Sequence, residues 1–240
     1  MEREVSSMTY RRRTNTTKIE IIQVATRMFL EKGYANTSIK AISEELDIST
    51  GNLTFYFPTK EHLLAILVEM LCTFQWKMMG RAVDEGKTSL MALCLELPTM
   101  AAICEENPVV KDFYLSSYTH SMTLSIIRRA DAEKAKKVFA PYCRDWEDKH
   151  FEEAEILVSG IEYATLMTTP GSPSMDIRVA GALNSILEIY GVPKEVRKSK
   201  IQRVLSMDCY QIGRQVLQEF MQYIEQENEL ALEYLMAGKA

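Results

Sequence analysis

Apolar residues recur every three or four positions through most of this chain, and no stretch alternates apolar and polar with the period of a strand. The pattern predicts an all-α protein. Ile22, Ala25 and Phe29 make the first stripe. Thr17 with Glu20 three residues later fits a capping box that opens this helix, and Gly33 fits a left-handed stop. Ile39, Ile42 and Leu46 share one face of a second helix that starts at Thr37 or Ser38. Ser49 is placed to cap a short third helix, Thr50 to about Phe55, which Pro58 cannot prolong. Thr59 then opens a long fourth helix, with Leu63, Leu64, Leu67, Met70, Leu71 and Phe74 in period to about Gly80.

Further along, Gly86 precedes a helix that runs to about Glu106, where Pro98 is expected to cause a kink or a split. Asn107-Pro108 opens the next, since proline at a first helical position loses no useful donor. Residues 121–139 form another, closed by Pro141. The breakers Pro170-Gly171-Ser172-Pro173 and Gly191-Val192-Pro193 bracket a helix at about 174–190, preceded by one at about 151–168. The remainder, about 194–236, fits one or two helices. The expected architecture is a three-helix head within residues 1–62 and a larger helical body over 63–240.

With 47% hydrophobic residues among 240, the chain has material for a sizeable core, which excludes a disordered class. No uninterrupted apolar run approaches the roughly 18 residues of a membrane span. The start, MEREVSSMTYRRR, lacks the apolar stretch of a secretory signal, so a cytoplasmic protein without membrane contact is expected. Five cysteines without a CxxC pair predict neither disulfides nor zinc, and no metal or cofactor is expected. Net charge is −5, yet residues 1–62 carry nine Lys and Arg against eight Asp and Glu, while 63–240 carry nineteen against twenty-five. The overall acidity therefore does not describe the head, whose base is concentrated at Arg11-Arg12-Arg13.

Two short helices joined by a tight turn describe a helix-turn-helix, in which the second helix enters the major groove of DNA. Ile39, Ile42, Leu46, Ile48 and Leu53 would face inward, leaving Thr50, Gly51, Asn52, Thr54, Phe55 and Tyr56 at the start and on the outer face. Hydroxyls and an amide suit base edges and phosphates, and Gly51 lets the backbone approach. Thr37, Ser49 and Lys60 lie at helix starts, which offer amides to phosphate. Arg11, Arg12 and Arg13 are expected on an unstructured arm beside the DNA. Against this, a capped helix start is often only a cap, and Phe55-Tyr56-Phe57 would equally serve as core.

Residues 17–64 resemble the N-terminal domain of the TetR family of bacterial transcriptional regulators, through IIQVATRMFLEKGYANTSIKAISEEL and DISTGNLTFYFPTKEHLL. The matching features are Phe29 to Gly33-Tyr34, Thr37 at the second helix, the Ser49-x-Gly51-x-Leu53 recognition helix, Tyr56-Phe57, and Lys60-Glu61-x-Leu63. In two places the chain departs. Thr54 and Phe55 stand where the family commonly has tyrosines, which removes a phosphate-bonding hydroxyl, and Asp47 replaces the usual turn glycine. The resemblance implies a homodimer that reads a near-palindromic operator in double-stranded DNA, and a repressor released by a small-molecule effector held in the body.

Two helices, 151–168 and 174–190, carry small residues suited to a dimer bundle, and the C-terminal pair within 194–236 is the alternative. Trp76, Met78, Phe113, Tyr114, Tyr118, His120, Tyr163 and Met167 are conceivable pocket liners, each equally an ordinary core residue. One rival function keeps the same head and replaces the small molecule by a protein partner. The other is a helical-bundle enzyme with two metals, which needs paired Glu-x-x-His motifs. Only Glu147 to His150 has that spacing, so no catalytic residue is assigned.

Overall fold

A computed structural model describes the backbone of residues 2–82 and 89–237, and the side chains of 17–82 and 89–226. Among the described residues there are eleven helices and no strand. The head comprises α1 (Glu2–Lys32), α2 (Ile39–Glu45) and α3 (Thr50–Tyr56). The body comprises α4 (Lys60–Ala82), α5 (Leu90–Glu106), α6 (Pro108–Thr119), α7 (Ser121–Val138), α8 (Asp148–Leu166), α9 (Met175–Ile189), α10 (Lys194–Leu205) and α11 (Cys209–Ala237).

Each boundary has a local cause. Ser89 caps α5 by accepting from the N–H groups of Met91 and Ala92, and Asn107 caps α6 by accepting from Val109 and Val110. Gly33 ends α1 at φ +89°. The α8–α9 turn is closed by Ser172, whose Oγ accepts the Thr169 N–H at 2.8 Å. Gly86 lies outside the described residues.

α5 is the central helix: twelve of its 17 residues are buried, and it packs against α4, α6, α8, α9, α10 and α11. Because it is enclosed on every side, Pro98 neither splits it nor ends it. The surrounding helices hold the chain helical past the missing N–H, and the Thr99 hydroxyl donates to Leu95 O at 2.7 Å. α11 lies against α5, α4 and α1 and buries Val216, Phe220 and Ile224. Among the described residues, its apolar face up to Ile224 is thus largely spent within the protomer.

The entry to the head differs from expectation. α1 is one helix from Glu2, so Thr17 sits within it and caps nothing, and Arg11, Arg12 and Arg13 are on helical backbone, not on an unstructured arm. No glycine or proline occurs before Gly33 to interrupt the helix. The side chains of the three arginines lie outside the described residues.

Candidate nucleic-acid interface

The head builds its exposed helix from short-range rules. Ser38 Oγ accepts from Ala41 N–H at 3.1 Å to start α2, and Ser49 Oγ accepts from Asn52 N–H at 3.1 Å to start α3. Between them Asp47 takes φ +52°, a left-handed turn that aspartate tolerates in place of glycine. Ile48 N–H donates back to Ser43 O at 3.0 Å. Ile42 and Leu53 are completely buried and Phe57 nearly so, which pins the inner side of α3 against α2, with Ile39, Leu46 and Ile48 half-buried around them.

The opposite side is open. Thr50, Gly51, Asn52 and Phe55 are exposed, and Phe55 at 73% exposure is the most solvent-accessible large apolar side chain of the described residues. A Cβ added at Gly51 would meet nothing within 4 Å, so the backbone there faces free space. Tyr56 is half-exposed and meets Phe55 edge to face at 5.2 Å. The Thr50 hydroxyl lies 3.1 Å from that of Ser43, tying α3 to α2. Thr54 donates its hydroxyl proton to Thr50 O and Gly51 O, leaving its oxygen as an acceptor. Ser49, Thr50, Gly51, Asn52, Thr54, Phe55 and Tyr56 therefore form one continuous surface.

Two residues expected at phosphate do not join it. Thr37 is buried, with its hydroxyl donating to Gly33 O at 2.8 Å and Met28 O at 3.2 Å. Lys60 is turned inward. Its Nζ donates to Tyr34 O at 2.7 Å and Thr37 O at 2.8 Å, and it sits 3.9 Å from the centre of the Tyr34 ring. Both carbonyls belong to the loop between α1 and α2, and Lys60, at the first turn of α4, is near enough to donate to each. Burial lowers the Lys60 pKa, with Asp112 opposing. Burial, then Glu61 and Asp112, pushes the Tyr34 hydroxyl up to about 12, so it stays neutral.

The same corner is gripped from the body by Asp112, which no local pattern marks, and by His120, which is placed here and not in a pocket. Asp112 Oδ2 of α6 accepts the Ala35 N–H at 2.8 Å, and a Cβ at Gly33 would stand 2.9 Å from that oxygen. His120 meets the Tyr34 ring at 5.1 Å, and its Nδ1 lies 3.1 Å from Glu61 Oε1. Head and body are thus coupled at the α1–α2 corner.

Lys60→Ala is expected to cost about 1–3 kcal/mol of head stability, because two backbone carbonyls lose a charged donor. It should weaken every DNA sequence alike without changing the salt slope of binding. A slope lower by about one, with unchanged thermal stability, would show that Lys60 meets phosphate after all. Glu147 and His150 are an end-capping pair, His150 Nδ1 accepting the Glu147 N–H at 3.0 Å, which is why their spacing resembles half a metal motif.

A buried two-helix frame that presents a seven-residue helix with one open polar and aromatic side is a helix-turn-helix DNA-binding module. The family described as bacterial regulatory proteins, tetR family, matches residues 21–67. The uncharacterized HTH-type transcriptional regulator YuxN of Bacillus subtilis (strain 168) is 39% identical over 64 residues, which are 27% of this chain and 21% of that protein. A solved gamma-butyrolactone receptor (ArpA-like protein) is 18% identical with a TM-score of 0.44, over 86% of this chain and 98% of its own. The TetR-family protein CprB from S. coelicolor A3(2) is 22% identical with a TM-score of 0.44, over 79% of this chain and 98% of its own. The head, residues 21–67, thus matches the DNA-binding segment of the tetR family of bacterial regulatory proteins, while the chain spans about a fifth of the length of the curated relative it matches.

Proposed function

We propose that the protein is a homodimeric transcriptional repressor whose paired heads, within residues 1–62, read the halves of a near-palindromic operator in duplex DNA. A small-molecule effector bound in the body, residues 63–240, releases it. As a regulator of chromosomal genes it acts in the cytoplasm. The open face of α3 carries this reading: a helix anchored by Ile42 and Leu53 leaves Asn52 and Phe55 exposed to solvent.

Dimerisation is supported by α8 and α9. Ile156, Leu157, Gly160 and Ala164 are all exposed on α8 at helical spacing, Met167 is exposed just after its end, and Ile177 and Gly181 are exposed on the adjoining α9. Ile156, Leu157 and Ile177 are each more than half exposed. A contiguous apolar stripe of this kind marks a protein contact, and its glycines permit close helix approach. The C-terminal alternative is disfavoured because α11 already covers α5, α4 and α1.

Selection of bound fragments from the source genome tests the reading. Recovery of an inverted repeat with half-sites about one helical turn apart supports it, and failure to enrich any sequence defeats it. On that operator, Asn52→Ala is expected to relax preference at one base position per half-site at a cost of about 1–3 kcal/mol. Equal loss on all sequences would make Asn52 a backbone contact instead.

A further inference from the structure

Inside the body, helices α4 to α9 close around four carboxylates and one ammonium. Glu96 of α5, Asp131 and Lys134 of α7, and Glu162 of α8 line both of two small cavities, and Glu155, two turns before Glu162 on α8, lines one of them. Lys134 is already committed: its Nζ lies 3.0 Å from Glu96 and 2.9 Å from Asp131. Glu155 and Glu162 make no ion pair among the described residues. Each takes a phenol instead, Tyr190 donating to Glu155 Oε1 and Tyr118 donating to Glu162 Oε2 at 2.9 Å. The second oxygen of Glu155, Oε2, has no partner, although the residue is only 2% exposed.

A helical bundle has no structural need for this arrangement. Apolar side chains of the same size would pack at least as well, and an orphaned carboxyl oxygen at that depth is costly to keep. We propose that Glu155 and Glu162 form the receptor for a small aliphatic diamine, whose two ammonium groups supply the positive charge and hydrogen-bond donors that the cavity lacks. The proposal rests on the effector reading above and gives that effector a chemical class.

The chemistry of the walls selects the ligand. Four carboxyl groups face one ammonium, so three of them have no cationic counterpart. Ammonium carries donors and no acceptor, which matches carboxyl groups whose only present donors are two phenols. The rings of Tyr118 and of Tyr190, stacked on Phe139 at 3.9 Å between centres, provide an apolar wall for a methylene chain. Each cavity measures about 30 Å³, room for a water and little more. Entry therefore requires Lys134 and Glu162, which stand between the two cavities, to part. A groove of about 240 Å³ between α4 and α7 shares Cys72 and Lys134 with one of the two cavities.

Binding must also move protons. Burial and then Asp131 push Glu155 up to about 8, and burial with Asp131 and Glu155 pushes Glu162 well up as well. The groups that face them are Cys72 of α4, Glu96 of α5, Tyr118 of α6, Arg128, Asp131 and Lys134 of α7, and Tyr190 after α9. Of these the Tyr190 hydroxyl and Lys134 favour ionised Glu155 and the Tyr118 hydroxyl favours ionised Glu162, while Asp131 and Glu96 oppose both. Arg128 donates its Nε–H to Ser159 Oγ at 2.9 Å. Burial and the neighbouring carboxylates thus favour the protonated forms in the empty site, and an arriving dication reverses that preference and expels protons to solvent.

Calorimetric titration of the full-length protein with 1,4-diaminobutane and 1,5-diaminopentane at pH 7, in two buffers of different ionisation enthalpy, tests this. Saturable binding is expected, with release of at least one proton, tenfold or more weakening for butylamine and no binding of 1,4-butanediol. Glu155→Gln and Glu162→Gln should each weaken binding at least tenfold while circular dichroism and operator affinity are retained. The proposal is overturned by absence of saturable diamine binding, by binding undiminished in both variants, by binding without proton release, or by magnesium ions displacing the diamine with the same dependence on Glu155. The underlying reading fails separately. Diamine binding that meets these criteria and leaves operator affinity unchanged defeats the effector role of the site, whereas operator release by an uncharged compound without diamine binding defeats the site and spares the regulator.

Discussion

Glutamate at both Leu157 and Ile177 is expected to convert the protein into a folded monomer that binds its operator roughly a thousandfold more weakly. Both side chains point into solvent in the protomer, at 58% and 64% exposure, so the substitutions remove nothing from its own core. In a dimer they would bury four like charges in a close helix contact, which several kcal/mol of apolar burial could not offset. The loss in DNA affinity follows from linkage. One head bound to its half-site holds the second at a high effective concentration, a gain of about 10² to 10⁴ that disappears when the protomers separate. Sedimentation with far-ultraviolet circular dichroism is the direct check. A double variant that remains dimeric, or a monomer that keeps full operator affinity, would remove α8 and α9 from the interface.

The second large effect concerns pH. Glu155 is protonated in the folded protein to about pH 8, whereas in the unfolded chain it ionises near 4.3 like any glutamate. Between those values the folded state holds a proton that the unfolded state has lost. Stability is therefore complete below about pH 4.3 for this group, falls as pH rises toward 8, and is flat beyond. Burial is the main cause, with Asp131 adding to it and the Tyr190 hydroxyl and Lys134 opposing it. Glu155→Gln keeps an acceptor for Tyr190 and removes the titration. The variant is expected to be more stable than the parent at pH 8, on the order of 3 kcal/mol, and nearly equal to it at pH 5. Denaturant midpoints at the two pH values measure this. A parent whose stability does not fall across that range, or a glutamine variant that falls in parallel with it, would show that Glu155 does not carry a retained proton.

The pH prediction also separates stability from use. A carboxyl that weakens the fold at neutral pH, in a position where glutamine would serve better, has its reason in something other than folding. No pattern along the chain points to it. Glu155 and Glu162 look like any surface glutamates of a helix read in isolation, and only the packing of α4 to α9 brings them to the same space as Glu96 and Asp131. Tyr118 was a conceivable pocket liner for its size alone, and its hydroxyl on Glu162 gives it a chemical reason.

By itself the sequence determined the helical architecture, the start of α2 to within Thr37 or Ser38, the cap at Ser49, the helix opening at Asn107-Pro108, the stop at Gly33 and the outer face of α3. All of these arise between residues a few positions apart, where side-chain spacing and backbone preference act without help from the rest of the chain. Tertiary structure decided whatever depends on distant partners. Lys60 stands at a helix start as a phosphate-binding residue would, yet carbonyls 26 and 23 residues away draw it inward. Asp112 bonds Ala35 across 77 positions, and the arginines of the first segment lie on a helix that no local stop interrupts. A free helix end, a buried charge or a void is satisfied by whichever group packing brings within hydrogen-bond reach, and that choice is made by the whole fold, not by the neighbours along the chain.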